Sequence, residues 1–112
     1  MSQEQQFIFI FWTCGSIEEA RKVSRLLVQG RHVACANIIP WVESYYLWNG
    51  ELETQQETKV IFKTRVEKFE EVKGLIKENC KYEIPEISKV AIDGGNQEYF
   101  DWVVESTSPC LV

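Results

Sequence analysis

The chain has 112 residues, of which 45% are hydrophobic and 12% aromatic, and its 17 acidic and 12 basic residues give a formal net charge of -5. This length accommodates one hydrophobic core of ordinary size, so we expect a single domain over residues 1–112. The basic residues are scattered along the chain. A nucleic-acid-binding role through phosphate contacts is therefore disfavoured.

The four cysteines are far apart in sequence and form no Cys-x-x-Cys pair: Cys14, Cys35, Cys80 and Cys110. This spacing excludes a sequence-local zinc knuckle and a thioredoxin-like motif, and it favours a reduced chain. The first residues, MSQEQQ, lack the positive charge that opens a signal peptide, and the apolar run over 7–12 is too short for a membrane span. We expect a cytoplasmic protein without a membrane partner.

The first elements are predicted from apolar patterning and capping residues. The run FIFIFW (7–12) is apolar throughout, which is typical of a central strand covered on both faces. Ser16 stands three residues before Glu19, an arrangement that predicts a capping box. Apolar residues then recur at helical spacing until Gly30, so we expect a helix over 17–29.

A long hairpin is predicted around Asn49-Gly50, the dipeptide that most favours a two-residue type I′ turn. Its arms extend from about 34 to 48 and from 51 to 64. Closing the turn with Trp48 opposite Glu51 gives three further pairs: Tyr46 with Glu53, Val42 with Glu57, and Ile38 with Ile61. Pro40 has no amide hydrogen for a ladder, so we expect a bulge or bend there and a register slip of one residue beyond it.

The second half of the chain is predicted to contain two helices and one strand. Thr64 and Glu67 form a second capping box, Pro85 excludes helix, and Asn96 suits the start of a final helix. The expected elements are a helix over 66–79, a strand over 87–92 and a helix over 97 to about 107. The resulting order, βαββαβ with a C-terminal helix, predicts a ferredoxin-like α+β fold with an antiparallel sheet.

The predicted hairpin is too long for this fold alone. Each arm has about 14 residues, on the order of 45 Å, whereas a typical strand has about 5 to 6 residues. It carries four aromatic residues: Trp41, Tyr45, Tyr46 and Trp48. An overhanging ribbon of this kind exposes apolar surface and unpaired backbone, which predicts a homo-oligomer. The alternative is that Pro40 folds the ribbon back over its own sheet.

The motifs together closely resemble those of the CutA divalent-cation tolerance proteins. The matching segments are ACANIIP (34–40), WNGELE (48–53), Glu57 with FKT (62–64), YEIPEI (82–87), GGNQEYFDW (94–102) and EST (105–107). The resemblance covers about 7–107 and leaves tails over 1–6 and 108–112. It implies a ferredoxin-like homotrimer that is cytoplasmic in bacteria, is linked to tolerance of copper and other divalent metals, and resembles the PII signalling proteins in fold and assembly. It implies no catalytic mechanism.

The resemblance also indicates where a metal would bind. Copper binding in the family uses a cysteine at the end of the first strand and imidazoles directly before the Tyr-x-x-Pro-Glu motif. The matching residues here are Trp12, Asn79 and Cys80, so Cys80 is the one soft candidate ligand for copper or another divalent metal. Cys14 is a partial substitute for the missing first-strand thiol, and the sole histidine, His32, lies elsewhere. The alternative is that Cys80 is a small packing residue at a helix end.

Glu83 and Glu86 resemble a candidate acid/base pair. Hydrolases such as glycosidases use two carboxylates. In an extended segment, however, side chains three residues apart point to opposite faces. We therefore favour structural carboxylates and expect no enzyme.

Other positions in the matched motifs are candidates for a cleft between subunits that holds a small effector or a partner protein. They are Trp48, Glu57, Lys63, Tyr82, Glu83, Glu86 and Trp102. Plain interface packing is the alternative for the aromatic members, and we favour it. The leading prediction is a divalent-cation tolerance protein, and the second is a PII-like effector-binding trimer. Cys35 is expected in the core and Cys110 on the surface, and residues 93–96 read as a helix-start turn rather than an anion site.

Overall fold

The computed structural model describes residues 5–109 and has the predicted element order, with one 3₁₀ turn added. The elements are β1 (Phe7–Cys14), α1 (Ile17–Gln29), β2 (Cys35–Trp48), β3 (Glu51–Arg65), a 3₁₀ turn (Val66–Lys68), α2 (Phe69–Asn79), β4 (Glu86–Ile92) and α3 (Gln97–Ser106). The strands form one antiparallel sheet in the order β2-β3-β1-β4. This is the predicted ferredoxin-like α+β arrangement.

Strand β1 lies at the centre of the sheet, as predicted, and is paired with β3 and β4 along its length. Its even-numbered residues are buried: Ile8, Ile10, Trp12 and Cys14. Its odd-numbered residues are only half-buried. The prediction of a strand buried on both faces is therefore wrong for the second face, although Phe7 stacks on Phe100 of α3 with ring centroids 4.5 Å apart.

The core lies between the even face of β1 and the helices α1 and α2. Its members include Trp12, Val23, Leu27, Phe62 and Ile76, all with 0% exposure. Helix α1 begins and ends where predicted, because the Ser16 hydroxyl accepts the Glu19 amide at 3.2 Å and Gly30 ends the helix.

The predicted capping box at Thr64 and Glu67 is wrong. Strand β3 continues through Thr64, which pairs with Ile8 of β1, and the Thr64 hydroxyl donates to the His32 carbonyl at 2.8 Å. Helix α2 then starts after the 3₁₀ turn without a side-chain cap. Asn96 does occupy the N-cap position of α3, but its side chain makes no capping hydrogen bond.

The hairpin register is confirmed near the turn. Trp48 pairs with Glu51, Tyr46 with Glu53 and Val42 with Glu57. Both turn residues have positive φ, 52° at Asn49 and 81° at Gly50, as a type I′ turn requires. Ile38 pairs with Val60 instead of Ile61, which is the slip of one residue expected at Pro40.

The hairpin extends beyond the rest of the sheet. Strand β1 contacts β3 only from Thr58 onward, so residues 51–57 pair with β2 alone. Several large apolar residues of this ribbon are exposed: Trp41 (77%), Leu47 (72%), Leu52 (68%), Tyr45 (63%) and Trp48 (63%). The predicted overhang is therefore present, and the ribbon is not folded back over its own sheet. No helix within residues 5–109 has the length and apolar character needed to cross a membrane.

Candidate functional site

A cleft of about 600 Å³ lies between the hairpin and the segment that joins α2 to β4. It is lined by Tyr46, Trp48, Glu53, Gln55, Glu57, Tyr82, Glu83 and Ile84. Four of these were predicted cleft residues, namely Trp48, Glu57, Tyr82 and Glu83. The fold brings them together because the hairpin overhang leaves one of its faces beside the residues that precede β4.

The Tyr82 hydroxyl donates to Glu57 Oε2 at 2.7 Å, and this hydrogen bond joins the hairpin to the segment before β4 across the cleft. Burial and the contact with Glu57 raise the pKa of Tyr82 well above its ordinary value of 10.0. Tyr82 therefore keeps its proton at physiological pH and acts as a donor. Glu57 is 9% exposed, so this hydroxyl satisfies a carboxylate that is almost removed from water.

Two residues that the sequence did not identify position Tyr82. A Cβ atom at Gly15 would lie 3.2 Å from the Tyr82 hydroxyl oxygen, so glycine permits the close approach of the phenol. Glu19 is 8% exposed and its Oε2 accepts the Lys81 amide at 2.8 Å, which holds the segment before Tyr82. Glu19 was predicted only as a helix-capping partner, and its spacing to Lys81 gives no sequence signal.

The thiols of Cys14 and Cys80 both lie near the Glu19 carboxylate, and the Cys14 thiol also lies near the Glu57 carboxylate. Cys14 is 1% exposed, and burial together with these charges raises its pKa to about 11. Burial, and then the charge of Glu19, raises the pKa of Cys80 as well. Both thiols are therefore protonated at neutral pH, and binding of a soft metal requires loss of a proton.

The residues present do not fit a copper site within one protomer. Trp12 is fully buried with its indole stacked on Phe62, and the Asn79 amide donates to the Leu75 carbonyl at 2.8 Å. The Nδ1 atom of His32 lies 2.6 Å from the Glu71 carboxylate, so these two side chains are paired with each other. Across the described residues 5–109, no three His, Cys, Asp or Glu side chains are arranged to hold a metal ion. That Cys80 binds a metal ion stays a prediction.

Glu83 and Glu86 lie in different environments. Glu83 lines the cleft, whereas Glu86 accepts hydrogen bonds from Thr13 at 2.6 Å and Ser88 at 3.2 Å, and lies 3.8 Å from the Lys59 ammonium. Glu86 is thereby held in hydrogen bonds across the sheet. This arrangement favours the structural interpretation of Glu86 over an acid/base pair.

Lys63 and Trp102 lie away from the cleft in one protomer. Lys63 pairs with Phe9 and Cys35, roughly 20 Å along β3 from Glu57. Trp102 lines a separate pocket of about 350 Å³ that includes Arg31. That Lys63 and Trp102 line this cleft from a neighbouring subunit stays a prediction.

The remaining sequence predictions concern two cysteines and the turn before α3. Cys35 is half-buried rather than in the core, and Cys110 lies outside the described residues. Residues 93–96 connect β4 to α3, as the helix-start interpretation requires.

Comparison with known proteins matches residues 8–106 to the family described as CutA1 divalent ion tolerance protein. The divalent-cation tolerance protein CutA of Archaeoglobus fulgidus is 38% identical over 98 residues, covering 88% of this chain and 95% of its own. The CutA of Thermus thermophilus is 40% identical over 95 residues, covering 85% and 92%. The crystal structure of CutA1 from Oryza sativa superposes with a TM-score of 0.89 at 30% identity, covering 94% and 96%. With its fold, its long hairpin and its motifs in agreement, this chain belongs to the CutA1 family of divalent ion tolerance proteins.

Proposed function

We propose that this divalent-cation tolerance protein acts as a non-enzymatic homotrimer in the cytoplasm. The overhanging hairpin is the observation that carries the proposal. Trp41, Leu47 and Leu52 expose more than two thirds of their surface, and β2 is an edge strand whose outer backbone groups have no strand partner within residues 5–109. A long apolar edge is an aggregation hazard, which pairing with further copies of the chain removes.

Native mass spectrometry of freshly purified protein tests the assembly. We expect a complex of three times the 13.1 kDa chain mass. Leu47→Asp should dissociate it without unfolding the protomer, because Leu47 is 72% exposed on the ribbon. Lys22→Asp is the control on α1, because Lys22 is exposed and lines neither the cleft nor the pocket that contains Trp102. A monomer for the unmodified protein at micromolar concentration would exclude the proposal.

Copper or another divalent metal is proposed as a ligand of the assembled protein only, with Cys80 as the donor. Thiolates are preferred ligands of cuprous copper, and three subunits would supply three copies of Cys80. Anaerobic titration with Cu(I) should show weaker binding in Cys80→Ser than in Cys35→Ser. Equal binding by both variants and by the unmodified protein would exclude Cys80 as a ligand.

Effector binding, as in a PII-like trimer, is a second candidate function. The cleft beside the hairpin supports it, because a volume of about 600 Å³ lies within the range of small-molecule sites, about 300 to 1,000 Å³. Thermal unfolding with separate panels of metals and of metabolites separates the candidates, since a ligand stabilises the state that binds it. Stabilisation by metabolites alone favours effector binding, and stabilisation by metals alone favours metal tolerance through direct binding.

The proposed cytoplasmic location agrees with three free cysteines within the described residues, Cys14, Cys35 and Cys80. Among related proteins, the CutA of Archaeoglobus fulgidus is described as periplasmic and that of Arabidopsis thaliana as chloroplastic. Fractionation of cells that produce this chain with a small tag tests its location. Recovery in an extracytoplasmic fraction would contradict this part of the proposal.

A further inference from the structure

The cleft beside the hairpin combines negative charge with aromatic faces. Among residues 5–109, its lining contains three carboxylates, Glu53, Glu57 and Glu83, and no Lys, Arg or His. Three aromatic residues, Tyr46, Trp48 and Tyr82, complete most of the wall. Carboxylates attract a cation through charge, and aromatic faces attract it through their quadrupole. The lining thus has the two features that recognise an organic cation.

Glu57 is the most buried charge in this lining, because Glu53 and Glu83 are exposed. It is 9% exposed, and its one side-chain hydrogen bond within residues 5–109 comes from Tyr82, a neutral donor. None of the ion pairs between described residues includes Glu57, Glu53 or Glu83. A buried carboxylate is costly without a cation, so the cleft contains a charge that a bound ligand would neutralise.

The arrangement of the carboxylates along the ribbon indicates an elongated ligand. Glu53, Gln55 and Glu57 are alternate residues of β3 and therefore share one face of the ribbon. Tyr46 of β2 pairs with Glu53 and lies on this same face. Glu53 and Glu57 are separated by roughly 13 Å along the strand. Two cationic groups joined by a hydrocarbon chain match this spacing, with the chain lying over the aromatic side chains.

A metal ion fits the same lining poorly. Within the described part of the chain, no group of three His, Cys, Asp or Glu side chains is close enough to hold one. A hard cation needs several oxygen ligands at about 2.0 to 2.6 Å and gains little from aromatic walls. The volume of about 600 Å³ is also far larger than a single ion requires.

We propose that this cleft binds an aliphatic polyamine, with Glu57 as the principal anionic contact. Glu53 provides the second anionic contact, and Trp48 covers the hydrocarbon chain. The proposal rests on the effector-binding candidate described above and names the chemical class of the effector. It is independent of metal binding at Cys80.

Isothermal titration with spermidine at constant ionic strength tests the proposal. We expect one spermidine per protomer, and at least about tenfold weaker binding in Glu57→Gln, because a charge-assisted hydrogen bond is lost. Trp48→Ala should weaken binding about two- to fivefold, the range for an exposed cation–π contact. Glu98→Gln is the matched control, since Glu98 is an exposed carboxylate in the first turn of α3, at the other end of the sheet.

One further variant and one further ligand keep the test decisive. Glu53→Gln removes an exposed carboxylate, and we expect about two- to fivefold weaker binding even if Glu57→Gln does not fold. Tetramethylammonium lacks N–H donors, so its binding should be at least about tenfold weaker than that of spermidine.

Three outcomes would overturn the polyamine assignment. They are no heat of binding up to roughly 10 mM spermidine, equal affinity in Glu57→Gln and the unmodified protein, and equal affinity for tetramethylammonium. The effector-binding candidate fails separately, when no metabolite of any charge stabilises the protein against thermal unfolding.

Discussion

Replacing Tyr82 with Phe removes the hydroxyl that donates to Glu57 and little else. The lost bond is 2.7 Å long and ends on a carboxylate that is 9% exposed. Hydrogen bonds to charged groups contribute about 1.5–3 kcal/mol, and water entering through the open cleft will partly replace this one. We therefore expect the free energy of unfolding to fall by about 1.5 kcal/mol, which corresponds to a decrease of roughly 5–10 °C in the melting temperature.

Equilibrium urea unfolding measures this change, and all variants are compared at one protein concentration because the stability of the proposed homotrimer would depend on concentration. Tyr99→Phe is the matched control. It also deletes a phenol hydroxyl, but within residues 5–109 that hydroxyl makes no hydrogen bond to another side chain or backbone group, so its loss should change stability by less than about 0.5 kcal/mol. A double-mutant cycle with Glu57→Gln should give a coupling energy of about 1 kcal/mol or more.

We also expect Tyr82→Phe to change how the stability of the protein depends on alkaline pH. Burial and the bond to Glu57 raise the pKa of Tyr82 in the folded state above its ordinary value of 10.0. The folded chain therefore holds this proton more tightly than the unfolded chain, and the associated stability is present below pH 10 and lost as the pH rises above it. Stability of Tyr82→Phe should fall less steeply above pH 10. Equal slopes, together with an unchanged urea midpoint, would refute the role assigned to this hydrogen bond.

Three further predictions address the turn, an ion pair and the thiols. Gly50→Ala should destabilise the protein by about 1 kcal/mol in urea unfolding, because Gly50 has a φ of 81°, which a residue with a Cβ atom adopts only with strain. An added Cβ would meet no other atom within 4 Å, so backbone strain alone causes the loss. Unchanged stability would contradict the turn conformation. The hydrogen bond from His32, partly opposed by burial, lowers the pKa of Glu71 below 4.5. Stability from this contact is present above pH 4.5 and is lost as the pH falls through the lowered pKa. Acid unfolding should therefore be less steep in Glu71→Gln than in the unmodified protein. Superimposable unfolding curves would show that the contact between His32 and Glu71 does not contribute to stability. With a pKa of about 11 for Cys14, about one Cys14 thiol in a thousand is ionised at pH 8. Mass spectrometry should therefore find Cys14 almost unlabelled after native protein is treated with iodoacetamide. Rapid labelling would show that the Cys14 thiol is accessible to solvent.

Local chemistry in the sequence determined several elements closely. Ser16 and Gly30 set the bounds of α1, because capping hydrogen bonds form between residues a few positions apart. Asn49-Gly50 determined the hairpin and its register, since few residues adopt positive φ at both turn positions. Pro40 likewise predicted the register slip, because it lacks the amide hydrogen that a continuous ladder requires.

The tertiary structure decided features that depend on distant partners. Thr64 matches a capping residue, yet pairing with Ile8 keeps it in β3, because a strand ladder outweighs one local hydrogen bond. The sequence identified Glu57 and Tyr82 through family resemblance. Only the packed chain shows that the phenol meets the carboxylate, while Lys63 and Trp102 lie elsewhere in the protomer. Periodicity and capping report neighbours within a few residues, whereas the cleft is formed where separate segments pack together.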